Sequence, residues 1–183
     1  MTTRAAVRRA EQVLADAGTT DAPIDVEAIA RQCGLNVVFQ DLPRDTSAVI
    51  IRTSEGRRMI GINDAHSTTR QRFSIAHEIG HALLHLPPKP PASGDAVVDK
   101  PIEVLYRDGV AAMGVDKREI EANAFAAELL MPAAALRERF RELIQASARR
   151  STDVLVRQLA SEYEVSTQAM GYRLANLNLI DPT

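Results

Sequence analysis

Apolar positions recur at helical spacing near the front of the chain. Ala5, Ala6, Val7, Ala10, Val13, Leu14 and Ala17 form one stripe that Gly18 stops, which predicts an amphipathic helix over 4–17. Asp25 as N-cap, the stripe Val26, Ile29 and Ala30, and Gly34 just past the end predict a second, shorter helix. The period then changes. Residues 35–39, 48–51 and 59–62 are short β-branched or apolar runs, with Ser54-Glu55-Gly56 as a turn signal between the last two. They predict a small antiparallel three-stranded sheet. The helical period returns strongly from Thr68 to His85, carrying Phe73, Ile75, Ala76, Ile79, Ala82, Leu83 and Leu84. Pro87-Pro88 ends that helix, and the proline-rich stretch to Pro101 reads as a long surface loop. Asp116 reads as the cap of a helix through Glu128, and Pro132 as the opening of one through Gln145. Two shorter helices are expected at 152–163 and 166–176. The fold class is therefore α+β, a small sheet packed on a helical core with a helical C-terminal tail.

Composition narrows the class. With 183 residues, 45% apolar and 25% charged, the chain has the profile of one globular domain. A domain of this length buries roughly 70% of the surface its unfolded chain exposes, so bound metal is not needed for folding and can serve chemistry. Lys plus Arg total 22 against 24 for Asp plus Glu, a net charge of −2, so no global basic field argues for nucleic acid. The single cysteine, Cys33, excludes an internal disulfide framework and an all-thiolate zinc cluster. Its plainest reading is a small buried apolar side chain in a reducing compartment. No stretch approaches the ~20 apolar residues needed to cross a bilayer, and the front of the chain lacks the apolar core of a signal peptide. The expected location is the cytoplasm, with no membrane partner.

The chemistry centres on His77-Glu78-Ile79-Gly80-His81, an H-E-x-x-H element inside the strongest helical pattern. Four residues advance a helix by ~6 Å and ~400°, so both imidazoles project from nearly one face and can reach one ion. Glu78 lies beside that face, where its carboxylate can take a proton from water at an open coordination position. With four His and twelve Glu in the chain, a chance match has a probability on the order of 0.006. The surrounding apolar run places these groups in the interior, where imidazoles and carboxylates without partners are costly.

A catalytic zinc site normally takes three protein ligands plus water, so a third is needed. The metzincin pattern would put a histidine six residues after His81, where this chain has Pro87. A downstream carboxylate is the alternative, and Glu119 in the half-buried helix Glu119 to Pro132 is the best candidate. Asn123 follows four residues later, where its amide oxygen can accept the second N–H of a ligating ring. Glu121, His85 and Glu103 are rivals. His85 continues the i, i+4, i+8 series, but its face has rotated ~80° from His77 and the helix is about to end, which favours local packing or capping.

These residues resemble the ImmA/IrrE-type metallo-endopeptidases, whose members share a gluzincin-like zinc site. Residues Gln71 to His85 look like the family's zinc helix, and Glu119 to Pro132 like its second signature. The resemblance runs from about Asp25 to Ile180 and is strong in those two blocks. It implies a zincin-like core over 25–132, a helical part over 133–183, and a single metallopeptidase domain over the whole chain. It implies that His77, His81 and Glu119 bind zinc, that Glu78 is the general base, and that Asn123 steadies a ligating ring. Asn123 stands where thermolysin-like enzymes have an aspartate, so its hold would be a neutral hydrogen bond. All four histidines (His66, His77, His81 and His85) precede residue 86, so no downstream histidine is present to stabilise an oxyanion. Tyr106, Tyr163, Tyr172 and Arg173 are substitutes among which the sequence does not choose.

The tail from Leu155 to Leu174 has a helix-turn-helix flavour. A DNA-reading helix would start near Ser166, yet it offers Thr167 and Gln168 with Arg173 as its cation, too little to grip phosphates. Packing through Leu159, Val165, Met170 and Leu174 is the plainer reading. The basic stretch Arg137, Arg139, Arg141, Arg149, Arg150 and Arg157 is broken by Glu138 and Glu142 and reads as a solvated face. The family resemblance implies an endopeptidase that cleaves a cytoplasmic helix-turn-helix repressor. The rival readings are a zinc-holding anti-repressor that binds without cutting, and a DNA-binding regulator. Nothing in the sequence sets the oligomeric state.

Overall fold

The computed structural model describes residues 2–53, 57–86, 102–107, 117–146 and 151–181, with the backbone alone for 52–53 and 102–107. The turn at 54–56, the loop to Pro101 and the cap at Asp116 lie outside the described residues. The elements run α1 (Thr3–Ala17), α2 (Val26–Gln32), β1 (Leu35–Gln40), β2 (Ala48–Thr53), β3 (Arg58–Asn63), α3 (Thr68–Leu84), β4 (Ile102–Arg107), α4 (Lys117–Leu130), α5 (Ala133–Ala146), α6 (Thr152–Glu162) and α7 (Thr167–Asn176). The fold class is α+β, as expected. Gly18 ends α1 with φ 65°, a left-handed conformation that glycine adopts without a side-chain clash. Asp25 caps α2 by accepting from the Ala28 N–H at 2.9 Å.

The sheet departs from the expected antiparallel meander. Its order is β1-β3-β2-β4: β2 is antiparallel to β3 and to β4, but β1 runs parallel to β3. The physical reason lies in the β1–β2 connection. That segment crosses over so that β2 lands on the far side of β3, and Asn63 at the end of β3 holds it there. The Asn63 side-chain amide donates to the carbonyls of Leu42, Pro43 and Thr46 at 3.2, 3.2 and 2.9 Å. Its own oxygen accepts from the Ala65 N–H, which turns the chain into α3. Asn63 is thus a buried polar group with its hydrogen bonds satisfied, and it sets both the crossover and the start of the next helix. The fourth strand, β4, supplies an edge that the sequence reading left unassigned.

Helix α3 is the structural axis. It packs against α2, β2, β3 and α4, while α1 lies along α4. Ala48, Ile50, Ile60 and Ile62 from the sheet, Ile75 and Ile79 from α3, and Phe125 and Leu129 from α4 are fully buried in one core. Each of the Ile, Leu and Phe side chains is worth roughly 1.5–3 kcal/mol relative to exposure, which is what fixes α3 between its neighbours. Gly80 allows α4 to come close: a Cβ there would sit 3.3 Å from Ala122 Cα and its carbonyl oxygen, and 3.2 Å from Phe125 Cδ1.

The last three helices extend the core through Leu136, Phe140, Leu155, Leu159, Met170 and Leu174. They are tied to α4 by a buried ion pair between Arg173 and Glu128. Arg173 also donates to the Met131 carbonyl, and Glu128 accepts from the Ala133 N–H at 3.0 Å, satisfying the open end of α5. No helix among the described residues is long and apolar enough to cross a membrane.

Candidate metal centre

The i, i+4 spacing on α3 places His77 and His81 one above the other, both buried, with their Nε2 atoms 2.9 Å apart. The first turn of α4 brings Glu119 to the same point. Its two carboxylate oxygens lie 3.3 Å from His77 Nε2 and 3.2 Å from His81 Nε2. Among the described residues, His77, His81 and Glu119 form a group that can hold a metal ion.

The spacing itself tests the fit. Ligands ~2.0–2.1 Å from a tetrahedral ion lie about 3.3 Å from one another along the tetrahedron's edges. The two imidazole nitrogens fall slightly inside that edge, and each lies at about that distance from one Glu119 oxygen, a different oxygen for each ring. Two imidazole nitrogens and a carboxylate oxygen are also the donor types that suit zinc. Glu119 is the most exposed of the three, its side chain 24% accessible, so the centre opens to solvent on its carboxylate side.

Protonation agrees with a ligand role. Asn123 Oδ1 lies 3.0 Å from His77 Nδ1, and an amide oxygen only accepts, so the ring proton sits on Nδ1. His77 Nε2 is the ring nitrogen that faces the cluster. Burial pushes the His81 pKa down to about 3, with the neighbouring His77, His85 and Arg118 adding to the shift, so this ring is neutral at physiological pH. A neutral imidazole is the form that binds metal.

The remaining candidates fall in different places. Glu78 is fully buried on α3 between the two histidines. His85, a rival ligand, directs Nε2 to the Arg118 carbonyl at 3.2 Å and is outside the donor group. Glu121 is buried with an oxygen 3.8 Å from His85 Nε2. The side chains of Glu103 and Tyr106 lie outside the described residues. Tyr163 is buried among the C-terminal helices and lines a small cavity with Asp21, Arg139 and Glu162, a cavity that none of the three donors borders. Tyr172 is 64% exposed and lines a cleft of about 990 Å³ that Phe73, Ile120 and Asn123 also border. Arg173 reaches the same cleft, but its guanidinium is held by Glu128 and Met131. The cation that a DNA-reading α7 would have offered is thus engaged inside the fold.

Sequence reasoning missed the contact made by His85 and the closeness of α4 to Gly80. A glycine within an otherwise strong helical pattern was the available signal for the second.

Over residues 30–175 the sequence matches the family model Peptidase_M78, described as the IrrE N-terminal-like domain. The chain belongs to this family. A phage relative, "Uncharacterized immunity region protein 2" of Bacillus phage phi105, is 29% identical over 104 residues, which is 57% of this chain and 56% of that protein. A solved structure described as a Mycobacterium tuberculosis transcriptional regulator shares the fold, with a TM-score of 0.58 at 19% identity. That match covers 94% of this chain and 46% of the other. The chain therefore spans about half the length of these two relatives.

Proposed function

We propose that the protein is a zinc-dependent endopeptidase of the cytoplasm whose substrate is a helix-turn-helix transcriptional repressor, so that cleavage derepresses genes. The observation that carries the enzymatic reading is the convergence of His77, His81 and Glu119 at donor separations of 2.9–3.3 Å. Support for a regulatory substrate comes from the family and from the immunity-region name of the phage relative. In this reading the whole chain is one metallopeptidase domain, with 25–132 carrying the site and 133–183 buttressing it.

Zinc held by these three side chains supplies Lewis acidity toward a peptide carbonyl and toward water. His77 is fixed for its part by Asn123, which locks ring orientation and tautomer. Glu78 removes the proton from the attacking water and delivers it to the leaving amine, a transfer that its buried position shields from bulk solvent.

The test is Glu78→Gln. Co-expressed with candidate helix-turn-helix repressors, the variant should keep its zinc while cleavage falls by about 10²–10⁴-fold. Intact and cut repressor are followed by mass, and zinc by elemental analysis. If derepression survives in cells without cleavage, the protein acts as a zinc-bound anti-repressor instead.

A further inference from the structure

Glu119 projects from the first turn of α4, the part of a helix whose backbone N–H groups lack partners within the helix and which frays most readily. Something must hold that turn against α3 if a carboxylate is to meet two imidazoles. Two contacts have been described already, the Asn123 bond to His77 and the approach of Ala122 to Gly80. Both lie beyond Glu119 along α4, and neither restrains the residues before it.

The third contact does. His85 is the C-terminal cap residue of α3, and its side chain is only 8% accessible. Its Nε2 donates to the Arg118 carbonyl oxygen at 3.2 Å and lies 3.8 Å from Glu121 Oε2. Its ring centroid is 5.3 Å from that of His81. One contact precedes Glu119 by a single residue and the other follows it by two, so His85 brackets the metal-directed acid on both sides while resting against a metal-directed ring.

We propose that His85 is a positioning residue that grips the start of α4 and so sets the Glu119 carboxylate at the point where the two Nε2 atoms converge. The inference rests on the metal-centre reading and deepens it. Its physical basis is the narrow tolerance of coordination: bond lengths in such sites hold to within about 0.2 Å, and a ligand left about 1 Å loose weakens the site. The ring contributes through its N–H donor rather than its bulk.

Metal-free wild type, His85→Leu, His85→Gln and Glu119→Ala are titrated with zinc against a chelator, and the cobalt(II) absorption spectrum of each is recorded. Leucine preserves volume without a donor, whereas glutamine keeps an N–H at similar reach. The expected result is zinc binding about 10–100-fold weaker in His85→Leu with an altered cobalt spectrum, and binding within about threefold of wild type in His85→Gln. Thermal unfolding of the metal-free proteins shows whether each is folded. His85→Asn, polar but too short to reach the carbonyl, provides the same comparison should His85→Leu fail to fold. Wild-type affinity and spectrum in His85→Leu, or in His85→Asn where the leucine variant does not fold, overturn the proposal, as does an equal loss in His85→Gln. Absence of zinc binding in wild type, or wild-type binding by Glu119→Ala, sinks the metal-centre reading itself, and the proposal with it. Binding lost in Glu119→Ala but intact in His85→Leu sinks the positioning role alone.

Discussion

The two ends of α4 each present an acid to the interior, and the two are used differently. Glu128 at the last turn is 4% accessible and meets a permanent cation, the Arg173 guanidinium, and the backbone N–H of Ala133. Glu119 at the first turn is more open and meets two imidazole nitrogens, one on the neutral ring of His81 and the other on His77, whose far nitrogen is held by Asn123. The first arrangement is complete: charge is matched by charge and the acceptors are filled. The second gathers electron-pair donors around one point, a grouping that a bound cation stabilises. Two acids on one helix are thus separated into structural and chemical roles by what faces them, not by their own residue type.

The largest expected effect breaks the structural end. Arg173→Ala leaves the Glu128 carboxylate buried without its cation and should cost about 3–5 kcal/mol of stability, measured by denaturant unfolding of the metal-free protein. Replacing both partners, as Arg173→Met with Glu128→Leu, should recover part of that loss. Zinc affinity of the folded fraction should stay within about threefold of wild type in each case. The next effect breaks the other end. Glu119→Ala should weaken zinc binding by at least about 100-fold, because removing a direct ligand costs no less than removing an outer partner. The midpoint of metal-free unfolding should barely move. If Glu119→Ala instead destabilises the metal-free protein as much as Arg173→Ala does, the distinction between the two acids is lost.

A smaller effect links the two ends through the helix they share. Gly80→Ala gains up to about 1 kcal/mol of helix propensity but drives a methyl group against the Ala122 backbone, which is part of a packed helix and cannot rotate away. The net loss should be about 1–2 kcal/mol by thermal or denaturant unfolding. Zinc binding should weaken as well, since pushing α4 outward carries Glu119 with it. A stability loss with unchanged zinc affinity would mean that the site tolerates movement of α4.

Much of the site was readable because its signal is local. H-E-x-x-H depends only on the pitch of one helix, and Glu119 with Asn123 depends only on the pitch of another. The structure brings His77, His81 and Glu119 together and sets Asn123 Oδ1 3.0 Å from His77 Nδ1. What could not be read depends on residues distant in sequence. The parallel sense of β1 follows from a crossover held by Asn63, whose partners lie 17–21 positions earlier. The ion pair that holds Arg173, a candidate for oxyanion stabilisation in the sequence, could not be read because its acid is 45 positions away. β4 is readable in principle, since Ile102, Val104 and Tyr106 alternate with other residues, but the run is short and follows directly on the proline-rich loop that ends at Pro101, and the sequence reading assigns it to no element.

Glu162 offers the finest test of the comparison, because it has the same kind of partner as Glu128 without the burial. Its carboxylate accepts from Arg139 at 2.8 and 2.9 Å and from Gln158 at 2.9 Å. The Arg139 hydrogen bonds hold its pKa below the usual carboxylate range, against a smaller opposing effect of burial. A group whose folded value is depressed adds stability above its unfolded value, about 4.3 for glutamate, and loses that contribution as pH falls through the folded value. Arg139 is 39% accessible, so solvent screening keeps the contribution under about 1 kcal/mol. The stability difference between wild type and Glu162→Gln should therefore be small at pH 7, shrink further in high salt, and fade in acid well below pH ~4. A difference as large as that for Arg173→Ala, or one that persists in acid, would mean that exposure does not separate these pairs. The contrast drawn along α4 would then have to rest on geometry rather than on burial and charge.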